Sequence, residues 1–118
     1  MTAIEKAKKI ASVLDEKKGK DISILKVLEK TVITDYFVIA TATSSTHLKA
    51  LSDEVEYRLR EEDAILADRV EGYSGGGWIL VDFGDVIVHL FDPASRDFFK
   101  LEKFWREAEP IEFEAKED

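Results

Sequence analysis

The sequence contains no cysteine. Disulfide bonds, thiolate nucleophiles and cysteine-based metal sites are therefore excluded, and a reducing compartment fits the chain. No apolar run approaches the roughly 18 residues that a membrane span requires. The opening MTAIEKAKKI also lacks the uninterrupted apolar core of a signal peptide. A soluble, cytoplasmic protein without membrane contact is expected. Histidine occurs only at His47 and His89, without ligand spacing to each other or to a carboxylate, so no metal is expected. Basic residues are the minority, 17 Lys and Arg against 25 Asp and Glu, for a net charge of −8. Nucleic-acid binders draw affinity from neutralised phosphates, which makes direct RNA or DNA binding a poor expectation here. The acidity aids solubility, and it also suits a basic protein partner, because opposite potentials steer encounter.

What is present is enough for one folded unit. The 118 residues are 45% hydrophobic, which allows a single domain with a real core. Thr2 and Glu5 have capping-box spacing, and Ile4, Ala7, Ile10, Ala11 and Leu14 recur at helical intervals up to Lys17, Lys18 and Gly19. DISILKVLE, from Asp21 to about Glu29, reads as a strand. DYFVIATA, from Asp35 to Ala42, is nearly all apolar and reads as a strand covered on both faces. TSST then supplies cap residues for a helix starting near Ser45, with Leu48, Leu51, Val55 and Leu59 as its buried stripe. AILADRVEG, from Ala64, reads as a short edge strand. Asp92-Pro93 opens a C-terminal helix through Phe98, Leu101 and Phe104. Past Pro110 the acidic IEFEAKED reads as a frayed tail. The order α-β-β-α-β-β-β-α predicts an α+β fold, a mixed β-sheet with helices mainly on one face.

The segment WILVDFGDVIVHLF, Trp78 to Phe91, predicts a hairpin. Gly84-Asp85 lies between two β-forming runs, and glycine at the first central position suits a two-residue type II′ turn. Phe83 then pairs with Val86, and Trp78 lies opposite Phe91. Alternation puts Ile79, Val81, Phe83, Val86, Val88 and Leu90 on an apolar face directed at the helices. The other face collects Trp78, Leu80, Asp82, Ile87, His89 and Phe91. Its mixture of aromatic and polar groups is the composition of a protein contact, with Trp78 as anchor. The competing arrangement tucks Trp78 and Phe91 under the C-terminal helix.

Catalytic motifs are missing. The DFG at Asp82 has no H-R-D loop and no Gly-rich loop before a lysine strand. GYSGGG is not closed by Gly-Lys-Ser/Thr and precedes a strand, whereas phosphate sites need a helix N-terminus there. No G-x-S-x-G elbow exists. Ser44 and Ser45 open a helix after a buried strand, where exposed amides can attract an anion. A nucleotidyltransferase would also need a D-x-D pair for its metals. Asp68 and Asp82 have Val70 and Gly84 two positions on, so the pair is absent and the serines are first of all caps.

Three blocks in order, TDYFVIATATSSTHLKALSDEV, RVEGYSGGGWILVDFGDVIVHLF and ASRDFFKLEKFW, resemble the ribosomal silencing factor, or Iojap, family over Thr34 to Trp105. The resemblance implies a protein that is not an enzyme and uses no cofactor. It implies a translation repressor that binds the large ribosomal subunit through the large-subunit protein numbered fourteen and blocks joining of the small subunit. It further implies a nucleotidyltransferase-like fold without the catalytic aspartates, and a homodimer when free. Carried onto this chain, the partner-facing positions are Trp78, Leu80, Asp82, His89 and Phe91. Tyr36, Ser44 and Ser45 match another family block, together with Asp35 and His47, and the resemblance implies further partner contacts there. The family domain would span residues 1–106, with 107–118 as the acidic tail. The alternative is a degenerate nucleotidyltransferase-like protein that binds nucleotides or transfers a group.

Overall fold

The computed structural model describes residues 1–29, 32–99 and 108–113. Helix α1, Ala3–Glu16, starts on the capping box. Glu5 N–H donates to Thr2 Oγ1 at 3.2 Å and Thr2 N–H donates to Glu5 Oε1 at 2.8 Å. It buries Ala7, Ile10, Ala11, Val13 and Leu14. The left-handed residue that ends it is Lys18, at φ 69°, rather than the glycine. Gly19 is needed for a close approach instead, since a Cβ there would lie 3.0 Å from the Leu14 carbonyl oxygen.

Strand β1, Lys20–Lys26, is shorter than its apolar composition predicts. Strand β2, Tyr36–Thr41, is buried at every position, as its unbroken apolar run predicts. Helix α2, Ser45–Asp63, is capped by Ser44, whose Oγ accepts from His47 N–H at 3.0 Å. Leu48, Leu51, Val55 and Leu59 are its buried stripe. It closes on Ala64 in the left-handed conformation, with Ala64 N–H on the Arg60 carbonyl and Ile65 N–H on that of Leu59. Strand β3, Arg69–Glu71, occupies only the end of the predicted edge segment. Strands β4, Trp78–Asp82, and β5, Val86–Phe91, form the hairpin, followed by helix α3, Pro93–Phe99. The expected continuation of that helix through Leu101 and Phe104 lies outside the described residues.

Six strands make one sheet in the order β3-β4-β5-β2-β1-β6, where β6 is Glu109–Ile111. The β2–β5 pair is parallel and the others are antiparallel, so the mixed α+β sheet is as expected. Helices α1 and α2 cover one face, packing on Ile24, Val38, Ala40, Ile79, Val81, Phe83, Val86, Val88 and Leu90. All six hairpin residues assigned to the apolar face are in this core. No helix among the described residues is long and apolar enough to cross a membrane.

Strand β6 shows that the start of the segment read as a frayed tail is paired, while residues 114–118 of that reading lie outside the described residues. Ile111 pairs with Ile24 and Glu109 with Lys26 at the sheet edge. Ile111 and Phe113, two apart, pack on the helix-covered core, while Ala108 is buried on the opposite face. Acidic residues alternate with these apolar ones, which is an edge-strand pattern and not only a solvated tail. Pro110 is tolerated because an edge strand can leave one backbone position without a donor.

A candidate protein-docking face

The hairpin register is the predicted one, with Trp78 opposite Phe91 and Leu80 opposite His89. Phe83 N–H bonds the Val86 carbonyl at 2.9 Å, and Gly84 has φ +90°, so glycine occupies the position where a type II′ turn requires positive φ. Asp82 Oδ1 accepts Gly84 N–H at 2.7 Å and ties the turn down. From the other side, Lys6 of α1 reaches Asp85 at 2.6 Å. The strand ends are thus held against both the turn and the helix layer.

The sheet face away from α1 and α2 is not a uniform exposed patch. Ile87, His89 and Phe91 are 5%, 5% and 0% exposed, which corrects the expectation that His89 and Phe91 face a partner. They form a second apolar cluster with Leu25, Val27, Phe37, Ile39 and Ala108, and Trp78 and Leu80 are half-buried at its margin. The sheet thus carries apolar clusters on both faces, and Phe37 of β2 and Ala108 belong to the second one, which alternation within the hairpin could not reveal.

Aromatic rings organise this margin. Trp78 stacks on Phe91 with centroids 5.3 Å apart and planes at 30°. His89 meets Phe37 edge-on, 4.8 Å between centroids and 86° between planes. The indole Nε1–H of Trp78 donates to His89 Nδ1 at 3.2 Å. With Nδ1 accepting, the imidazole proton sits on Nε2, and that atom has no hydrogen-bond partner among the described residues. Burial pushes the His89 pKa down to about 4, so the ring is neutral near pH 7.

Asp82 is held from a direction that sequence reasoning missed. Arg69, its register partner on β3, donates from Nε to Asp82 Oδ2 at 3.2 Å and pairs with Glu71 at 3.0 Å. The signal lay in the segment ADRVEG: pairing β3 with β4 brings Arg69 to Asp82. Glu71, Gly72, Trp78 and Leu80 surround a shallow recess of about 230 Å³. This edge therefore presents an indole, a leucine and two carboxylates that share the Arg69 guanidinium in a small area.

The remaining predicted residues are elsewhere. Tyr36 is buried in the helix-covered core, on the opposite side of the sheet. Asp35 acts through its backbone, its carbonyl accepting from Val27 and Leu28 and its N–H donating to the Asp85 carbonyl. His47 Nδ1 accepts Thr43 N–H at 2.9 Å and its Nε2 is 2.8 Å from the Lys17 carbonyl, so it fastens the start of α2 to the end of α1. Ser45 borders a cleft of about 430 Å³ between α2 and the glycine loop, lined also by Lys49, Tyr73 and Asp92. That loop leads directly into Trp78 and is the physical link between the two groups of residues. Among the described residues, no group of three or more His, Asp or Glu side chains gathers in a metal-binding arrangement.

Fold and face together define an α+β single-sheet domain with an aromatic sheet margin edged by charged residues. The whole chain, residues 1–118, matches the family described as ribosomal silencing factor during starvation, and it belongs to that family. It is 33% identical over 102 residues to a ribosomal silencing factor of Halalkalibacterium halodurans, covering 86% of each chain. It is 32% identical over 101 residues to the mouse protein named mitochondrial assembly of ribosomal large subunit protein 1, covering 81% of this chain and 43% of that one. A crystal structure from Chromobacterium violaceum superposes with a TM-score of 0.85 at 34% identity, covering 98% of this chain and 95% of that one.

Proposed function

We propose that this protein represses translation by docking on the large ribosomal subunit and occupying space that the small subunit needs. The observation that carries the reading is the β4 margin: Trp78 and Leu80 half-buried side by side, with Asp82 and Glu71 around them, in a chain of the ribosomal silencing family. Half-buried aromatic groups ringed by polar ones are the usual anchors of a protein contact. The partner is a basic ribosomal protein at the subunit-joining face, the large-subunit protein numbered fourteen. Trp78 and Leu80 supply apolar contact and Asp82 supplies charge, while His89 and Phe91 act from beneath. Ser44 and Ser45 form a secondary contact beside the glycine loop. No catalytic step is involved, and the nucleotidyltransferase-like scaffold serves only as a rigid support. The free protein is a homodimer in the cytoplasm.

The test is sedimentation of the purified protein with separated ribosomal subunits, followed by a subunit-joining assay. The protein travels with large subunits alone and lowers the yield of joined ribosomes. Trp78→Ala weakens binding by at least about tenfold, the scale of a hot-spot residue, and relieves the block. Co-sedimentation of Trp78→Ala equal to that of the unaltered protein would sink the assignment of the face.

A further inference from the structure

We propose that His89 is a positioning residue: its Nδ1 accepts the indole N–H of Trp78 and fixes the orientation in which Trp78 meets the partner. The inference rests on the docking role given to Trp78 and explains how that side chain is prepared for it. A side chain that is free before docking loses rotamer freedom on binding, and ordering it in advance removes that cost. Trp78 is ordered on two sides. Its ring leans on Phe91 at 5.3 Å, and its one polar atom is held by His89 at 3.2 Å.

His89 is itself well placed to hold. It is 5% exposed on a central strand, and Phe37 stands edge-on against it at 4.8 Å. Its tautomer is set by what it accepts, which leaves Nε2–H buried without a partner among the described residues. An unpaired buried donor is destabilising. Phenylalanine would supply a ring here without leaving a buried polar atom unpaired. What histidine adds and phenylalanine lacks is an acceptor at Nδ1, and the group at that acceptor is Trp78 N–H.

Two substitutions separate positioning from packing. His89→Asn keeps an acceptor near the Nδ1 position but loses ring volume, whereas His89→Phe keeps the ring and deletes the acceptor. Both are made with Trp105→Phe, so that Trp78 is the one remaining tryptophan of the two. The readouts are the indole N–H resonance of Trp78, its exchange with solvent, and binding to isolated large ribosomal subunits. Positioning predicts that His89→Phe stays folded, shifts the indole resonance, speeds its exchange and binds roughly fivefold more weakly. His89→Asn restores both the resonance and the binding towards the parent. The proposal is overturned if His89→Phe leaves the resonance and the affinity unchanged, or if it outperforms His89→Asn in both. Failure of the Trp78-containing parent to bind large subunits would overturn the docking reading instead. The orientation of the indole would then stand or fall on the resonance alone.

Discussion

Burial holds the His89 imidazole neutral, its pKa pushed down to about 4 from an ordinary 6.5. In the unfolded chain the ring takes up its proton near 6.5, so between these values the unfolded state binds more protons than the native one. The stability contributed by a neutral His89 is complete above about pH 6.5 and is lost as pH falls through 4, on the order of 3 kcal/mol in all. Urea midpoints measured from pH 7 to pH 4 are expected to fall, and His89→Phe is expected to flatten the part of that fall due to this ring. Gly72 is a second sensitive residue. It has φ +80°, and a Cβ there would lie 2.1 Å from the Trp78 carbonyl oxygen. Gly72→Ala should lower stability by more than about 2 kcal/mol, read as a reduced urea midpoint, and displace the start of β4. At this scale the sequence was a good guide to partners within the hairpin. Period-two alternation placed Ile79 to Leu90 correctly because both strands share one register. It misjudged His89 and Phe91 because they share a second apolar cluster with Phe37 of β2 and with Ala108, which lies just before β6, and alternation within the hairpin says nothing of either.

The elements were legible where local chemistry decides them. Thr2 with Glu5, and Ser44 before a leucine stripe, mark helix starts whatever the rest of the chain does. Helix ends were less legible, because Lys18 and Ala64 adopt left-handed φ without being glycine. Ala64, at φ 57°, offers a direct check: Ala64→Gly should raise stability by about 0.5–1 kcal/mol, seen as a higher thermal midpoint. Strand β6 was hidden because its acidic residues read as solvation, while the pairing with β1 is a long-range event. Removing residues 108–118 is expected to strip Ile24 and Leu25 of their edge partner and uncover the Ala108 side of the second cluster. The expected loss exceeds about 2 kcal/mol, measurable in the urea midpoint.

For the whole molecule, composition excluded more than it assigned. The absence of cysteine and a net charge of −8 removed thiol chemistry and made phosphate-backbone binding a poor fit, but neither identified a partner. The domain measures 34 × 33 × 31 Å, and the proposed steric block would need one footprint of ordinary size, about 800 Å² on each side. If charge steers an acidic domain to a basic partner, association should slow several-fold between ~0.05 M and ~0.5 M salt, with dissociation changing less. Stopped-flow mixing with large subunits measures both rates. The parallel β2–β5 pairing has a further consequence for synthesis. It joins Tyr36 to Val86 and Thr41 to Phe91, segments made far apart in time, and the sheet edge is completed only with Ile111. A growing chain therefore has no finished sheet until residues through Ile111 have been translated. Until Ile111 has left the ribosome that makes it, β1 has no partner on its outer edge, so the fold is closed by the last strand to be synthesised among the described residues.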